Sequence, residues 1–494
     1  MSDRKKILII AEGTYPYIKG GVSTWIHQLI SGLYMYDFEI LFIGSKREDY
    51  GEIEYDLPKN LKKIHAEFLF DNVERPEPDF TKTKKEFEET ISALHGWFRE
   101  KSANSAFPAQ FKSLDFYLRE ITQKEFLYGT GSWEYIKKEY LHFCPQSAFI
   151  DYFWTVRNMH SPIWKLAQTA KKMDKFDIIH SPSTGYAGFL GALLHFNYRK
   201  PFVLTEHGIY TRERKIDMLN ADWLVDTRTV FQKELGDLSH IKNMWIKFFE
   251  GIGKVSYEAA NPIISLFDKA KEIQISYGAD PNKTQVIPNG VDVERLKPLR
   301  KERKEKKIIT LIGRVVPIKD IKTFIKAMRI TINRLPEAEG WIVGPQNEDE
   351  TYAKECRLLV EALGLEERVK FLGFKNIEEV LPQTKIATLS SISEGMPLVI
   401  IEGFAAGVPA VTTDVGSCSQ LINGGIDEED KKIGKAGEVV PIANPSELAR
   451  AYIDLLTDDN KWEKASKSAI ERVERYYTLD RFLKSYEKIY KEVG

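Results

Sequence analysis

The stretch Ile386–Thr413, IATLSSISEGMPLVIIEGFAAGVPAVTT, restricts the fold of this chain most, because it reads without a gap as strand, loop, helix and strand. Ile386 to Ser390 is a short apolar run. Pro397 stands where the first helical turn accepts proline, Leu398 to Ala406 continues as helix, and Gly407 stops it. Val408 to Thr412 is apolar and β-branched, as a buried parallel strand is. Two carboxylates, Glu394 and Glu402, stand eight residues apart. The first falls in the loop and the second near mid-helix, which predicts different depths of one crevice. The helix start, Gly395, Met396, Pro397, Leu398 and Val399, offers unpaired backbone N–H groups and the positive end of a helix dipole. Such an end suits a phosphate.

The pattern SxSEGMPLVxxEGFAAGVPxV resembles the nucleotide-sugar glycosyltransferases of the retaining family 4 type, which includes glycogen-synthase-like and sucrose-synthase-like enzymes. A bare Glu-x7-Glu is also what a solvated helix shows; the strand–loop–helix setting distinguishes this one. The resemblance implies an α/β, GT-B fold, two Rossmann-like domains facing a cleft. It implies that Glu394 faces the donor sugar's hydroxyls and Glu402 the ribose hydroxyls.

At 494 residues the chain exceeds one ordinary core, so two domains are expected. Lys+Arg of 71 against Asp+Glu of 72 gives no general attraction for nucleic acid or an anionic membrane. Cys144, Cys356 and Cys418 lie far apart without metal or disulfide spacing and read as buried thiols. No signal peptide or membrane span is read, so a cytoplasmic location is expected.

In chain order, Lys6 to Ala11 predicts a first buried strand, and EGTYPYIKGGVS a loop before a helix from Val22 to about Tyr34. Gly20 and Gly21 are either an ordinary tight turn or a place of close backbone approach to a ligand. The resemblance favours the second, as a loop closing over donor and acceptor, and adds Tyr15 to the acceptor side. Phe38 to Gly44 predicts the next strand. From about 76 to 162 long charged and aromatic segments predict a largely helical insertion. Its rings Trp97, Tyr117, Phe126, Tyr128, Trp133, Tyr135 and Phe153 either stack on an acceptor sugar or, as expected, form the core of a helical subdomain. An amphipathic helix resumes at Leu166, and FDIIH places His180 at a strand end.

In Phe202–Arg214, FVLTEHGIYTRER, His207 falls at the carboxyl end of a parallel strand, where ligands of open α/β sheets gather. Alone, it reads as a structural histidine. The family places a histidine here against the donor sugar near the reacting centre, and TEHGIYTRER with AEGTYPYxxGGVSTW resembles the Pel exopolysaccharide glycosyltransferase (PelF) group. Arg212 and Arg214 are candidates for acceptor contact.

After helical sequence from Ile216 to Glu250, strands are predicted at Pro262–Ser265 and at 283–287. The charged run ERLKPLRKERKEKK then reads as a hinge. The expected domains are 1–296, 297–470, and a helix within 471–494 crossing back to the first domain. In KIITLIGRVVPIKD, Arg314 and Lys319 share the loop after a strand, where a fork and a point charge would converge on a diphosphate. The resemblance gives this pair the phosphate role without metal, and places the base near Phe374 and Lys375, largely through backbone. The acidic run Asp427–Asp430 reads as a solvated loop, and no Asp-x-Asp metal motif is read.

The expected activity is retaining transfer of a hexose from a UDP-sugar to a growing exopolysaccharide or other glycan. Arg314, Lys319, His207 and Glu394 would form the catalytic set, with no cofactor and no metal. The implied partners are the donor, the glycan acceptor and a membrane-bound polysaccharide synthase complex. A catalytically silent sugar-nucleotide-binding subunit and a GT-B epimerase are the alternatives.

Overall fold

The computed structural model describes residues 4–71, 86–101, 105–173, 175–220, 239–301 and 306–494. The chain divides into two compact units, Met1–Val286 with Glu487–Gly494, and Ile287–Tyr486.

The first unit is built on seven strands: β1 (Lys6–Glu12), β2 (Asp37–Gly44), β3 (Leu61–Phe68), β4 (Ile178–Ser181), β5 (Phe202–Glu206), β6 (Ile263–Ser265) and β7 (Thr284–Val286). They pair in parallel in the order β3-β2-β1-β4-β5-β6-β7. Ile9 lies between Ile40 and His180 in the register. Ile7 to Ala11 are fully buried, which is why β1 is an unbroken apolar run. β3 was not read from the sequence. It is an edge strand whose Lys62 and Lys63 are exposed, so apolar periodicity is weak there.

Between β3 and β4 the described residues are mainly helical, and most of the candidate rings are core. Trp97, Tyr117, Phe126 and Tyr135 are buried, and Phe126 stacks on Trp164 at 4.1 Å. Each such side chain contributes roughly 1.5–3 kcal/mol by burial. Tyr128 and Phe153 are half-buried, with the Arg157 guanidinium 5.1 and 5.0 Å from their ring centres; Trp133 alone of the seven is exposed. The limit read at Pro162 is not a break, because one helix, Phe149–Lys172, runs through it. The carbonyl that proline frees belongs to the exposed Asn158, where water can satisfy it. Residues 221–238 of the helical stretch read from Ile216 lie outside the described residues.

The second unit holds β8 (Ile308–Ile312), β9 (Glu339–Val343), β10 (Val369–Gly373), β11 (Ile386–Leu389), β12 (Ala410–Thr413) and β13 (Gly437–Val440), parallel in the order β10-β9-β8-β11-β12-β13. The run read as a hinge is structured in its first half. Leu296 and Leu299 are buried, and Arg300 donates to the Ala405 carbonyl at 2.8 Å. Residues 287–296, read with the first domain, therefore belong to the second unit, where Val291 also bridges Thr478. Asp430, read as solvated, is fully buried and accepts from Arg472 Nε at 2.7 Å. The last helix, Leu479–Val493, starts in the second unit and ends in the first. There the buried Tyr490 packs on Tyr36 and Phe38.

Candidate functional site

The order of the second sheet reverses between β8 and β11, and ligands of open α/β sheets bind beside the loops that leave such a switch point. The loop after β8 ends in a tight turn, Pro317–Lys319, and Asp320 then caps the helix Ile321–Arg334 from a left-handed φ of 44°. Two hydrogen bonds tie it to the loop after β11: Ile392 N–H to the Ile318 carbonyl and Ser390 Oγ to the Lys319 carbonyl, both 2.9 Å. Glu394 Oε1 there accepts from Lys319 Nζ at 2.6 Å and from Ser391 Oγ at 2.5 Å.

The loop carrying Glu394 is backed by the one after β12. Thr413 Oγ1 donates to the Ser391 carbonyl at 2.7 Å and Ser417 N–H to the Gly395 carbonyl at 3.0 Å. Gly416 has φ +54°, and a Cβ on it would lie 2.3 Å from the carbonyl oxygens of both Glu394 and Gly395. Gly416→Ala is therefore expected to cost about 1–2 kcal/mol from left-handed backbone alone, before the clash displaces the loop. Thermal unfolding checks this; an unchanged melting temperature would contradict it.

The helix Leu398–Ala405 follows, with Pro397 at its cap rather than inside it. Among the described residues the N–H groups of Gly395, Met396, Leu398 and Val399 donate no hydrogen bond. Asn289 fixes the helix start from outside, its Nδ2 donating to the Met396 carbonyl at 3.3 Å. Four unpaired N–H groups beside the Lys319 ammonium form an arrangement able to hold a phosphate.

Glu394 and Glu402 differ in pairing more than in depth. Their side chains are 11% and 17% exposed, but among the described residues Glu402 has only Arg295, at 3.7 Å, and shares it with Glu378. Burial therefore raises the Glu402 carboxyl from 4.5 to about 7, against the opposing pull of Arg295. Between these values the folded chain binds more protons than the unfolded one, so this group makes stability fall as pH rises through the window. Glu402→Gln is expected to match wild type near pH 4 and to exceed its stability above pH 7 by up to about 3 kcal/mol. Melting temperatures at both pH values test this; a difference that stays constant with pH would contradict it. Arg295 lay unread within the charged run.

Arg314 and Lys319 are held by different carboxylates. The half-exposed Arg314 guanidinium pairs with Glu348, an acceptor near at hand in the next loop of the sheet. Phe374, 68% exposed, and Lys375 follow β10 at the surface.

The first sheet reverses between β1 and β4, and there the helix start is already occupied. Glu12, closing β1, accepts from the Ala187 N–H in the first turn of the helix Tyr186–Tyr198 at 3.0 Å and from the Tyr210 hydroxyl at 2.9 Å. A carboxylate of the chain thus fills the position that an anionic ligand would take. Gly20 and Gly21 are exposed, and a Cβ on either would meet nothing within 4 Å, so packing does not explain them. Tyr15, read on the acceptor side, is instead fully buried, its hydroxyl 3.4 Å from His27 Nδ1 and pushed up to about 12 by burial. Arg212 is exposed, and Arg214 lies over the Tyr210 ring and pairs with Asp217 at 3.2 Å. His207 follows β5, packs edge-on against Trp25 at 4.7 Å, and is held neutral, its pKa lowered to about 3 by burial. Its Nε2 is buried and without a hydrogen bond among the described residues. His180 is structural: its nitrogens lie 2.6 Å from the Tyr490 hydroxyl and 2.9 Å from Thr205 Oγ1.

Among the described residues no group of three or more His, Cys, Asp or Glu side chains could hold a metal ion, and no helix is long and apolar enough to cross a membrane.

Residues 5–282 match the family described as a domain of unknown function (DUF3492), and residues 292–472 match glycosyl transferases group 1. The D-inositol 3-phosphate glycosyltransferase of Corynebacterium glutamicum (strain R) is 23% identical over 63% of this chain and 71% of its own length. The UDP-Gal:alpha-D-GlcNAc-diphosphoundecaprenol alpha-1,3-galactosyltransferase of Escherichia coli is 27% identical over 52% of this chain and 62% of its own. Among solved structures, Anabaena HepE in complex with UDP and glucose matches with a TM-score of 0.61 and 16% identity over 99% of this chain and all of its own. Sucrose-phosphate synthase from Thermosynechococcus elongatus matches with a TM-score of 0.59 and 16% identity over 99% of each chain. These likenesses show the fold, GT-B.

Proposed function

We propose, from the premise that the chain belongs to the DUF3492 family and that its residues 292–472 are a group 1 glycosyl transferase domain, that it moves a hexose from a UDP-sugar to a glycan with retention of anomeric configuration. The observation that carries this reading is the Lys319–Glu394 pair beside an unpaired helix start at the switch point of the second sheet. Lys319 and the N–H groups of Gly395 to Val399 would stabilise the diphosphate as it leaves, a preorganised electrostatic role. Arrival of that diphosphate would free Glu394 from Lys319 to take the sugar's hydroxyls. Ribose hydroxyls would give Glu402 the donors that its ionised form lacks.

The first unit would supply His207, held neutral and therefore a hydrogen-bond partner rather than a cation, and Arg212 and Arg214 toward the acceptor. Gly20 and Gly21 would let that acceptor or the donor approach the backbone. Arg314 would reach the phosphate by leaving Glu348, an exchange that its exposure permits. The resemblance to the PelF group, together with the galactosyltransferase among similar proteins, favours an exopolysaccharide or another glycan as acceptor, with a membrane-bound synthase complex as partner.

The reading also proposes independence from metal, because cations of the protein stand where a divalent ion would otherwise neutralise the leaving group. Turnover of a UDP-sugar by the purified protein is expected to survive EDTA. Loss of turnover in chelator, restored by Mg²⁺ or Mn²⁺, would contradict the phosphate site as described. UDP binding without any turnover would leave a binding subunit, not an enzyme.

A further inference from the structure

Thr205, Glu206 and His207 are consecutive at the carboxyl end of β5, and the middle one is a fully enclosed carboxylate with no cation paired to it among the described residues. Four donors from separate parts of the first unit converge on it. Oε1 accepts from Thr184 Oγ1 at 2.9 Å and from the Tyr210 N–H at 3.3 Å. Oε2 accepts from the Tyr257 hydroxyl at 2.6 Å and from Gln274 Nε2 at 3.0 Å. Burial pushes its pKa up and the four donors pull it back. His207, by contrast, has no hydrogen bond of its own among the described residues, so its orientation rests on the backbone turn that carries it and on its edge contact with Trp25.

We propose that Glu206 is a positioning residue that fixes the Glu206–Tyr210 turn and thereby aims His207, resting on the reading that His207 serves sugar transfer. The turn is closely packed, so a small shift of it would move His207. A Cβ at Gly208 would stand 2.0 Å from Glu213 Oε1, and one at Gly253 2.7 Å from Thr211 Oγ1, so both sides are closely packed. Thr205 is anchored on the opposite face of the strand through His180. Removing the carboxylate's acceptor capacity unties Tyr210 from the loop after β4 and from the helices His240–Ala259 and Asp268–Ser276 at once.

Glu206→Gln keeps the volume but sets an NH₂ group either against the Tyr210 N–H, which cannot accept, or against the Gln274 amide, which accepts only by turning its oxygen round and giving up its bond to the Ile264 carbonyl. Its kcat for transfer is expected to fall about 10–100-fold, as misplacement near a reacting centre does. The Kd for UDP should not change, because UDP is assigned to the second unit. In a His207→Ala background the same substitution should add nothing, since it acts through that histidine. Tyr257→Phe, which removes one donor, should show the same pattern at a several-fold level, and stands in if Glu206→Gln does not fold. A kcat within about twofold of wild type, or a loss that multiplies with that of His207→Ala, overturns the proposal. Wild type that turns over no UDP-sugar overturns the functional reading and this inference together, an outcome distinct from either.

Discussion

Lys319→Ala is expected to abolish sugar transfer and to weaken UDP binding while the protein still folds. Its ammonium pairs with Glu394, which directly precedes a helix start with four unpaired N–H groups, and the diphosphate would lose that point charge. Turnover should fall on the order of 10²–10³-fold, the scale of a lost electrostatic contact to developing charge. UDP affinity should weaken by roughly 1.5–3 kcal/mol, one charged hydrogen bond. Folding is spared because the loop keeps its ties from Ser390 and Ile392, and Glu394 keeps Ser391. Turnover assays, calorimetric titration with UDP and a melting curve check the three parts; near-normal turnover would refute the assignment.

The two glutamates should fail in different ways. Glu402→Ala is expected to weaken UDP and UDP-sugar alike, by roughly 1.5–3 kcal/mol, because it removes the acceptor for ribose. Glu394→Ala should leave UDP affinity nearly unchanged and depress transfer, because it removes the group that orients the sugar. The structure sharpens this contrast. Glu394 already has a full cationic partner, so its loss leaves Lys319 freer to meet phosphate, whereas Glu402 has a distant, shared arginine and waits for donors. Titration of both variants with UDP separates the roles; a Glu394→Ala that loses UDP beside a Glu402→Ala that does not would reverse them.

The sheets were legible where burial makes the sequence monotonous. β1, β2, β8 and β11 are apolar runs because both faces are covered, and the loops after β8 and β11 could be read as neighbours once a parallel sheet was inferred. The edges β3 and β13 were not read, since a strand with one free side tolerates lysine and glutamate and loses its period. The end of the insertion, read at about 162, falls inside the helix Phe149–Lys172, because a change in composition does not mark where an element ends. In the site, Lys319 and Glu394 were legible through loop position. Arg295 was hidden in a run of charges, where nothing local marks the one that folds back on Glu402. Glu206 lay beside the His207 motif, yet its role rests on Thr184, Tyr257 and Gln274, distant in sequence. Tyr15 failed for the opposite reason, a loop residue whose ring the core takes in.

The most direct test of the account is UDP release when the purified full chain is incubated with a panel of UDP-hexoses and UDP-N-acetylhexosamines, with and without a glycan acceptor, in EDTA. The account predicts release from at least one donor, increased by acceptor and lowered on the order of 10²–10³-fold in Lys319→Ala. No release from any donor by a protein that nonetheless binds UDP would contradict it.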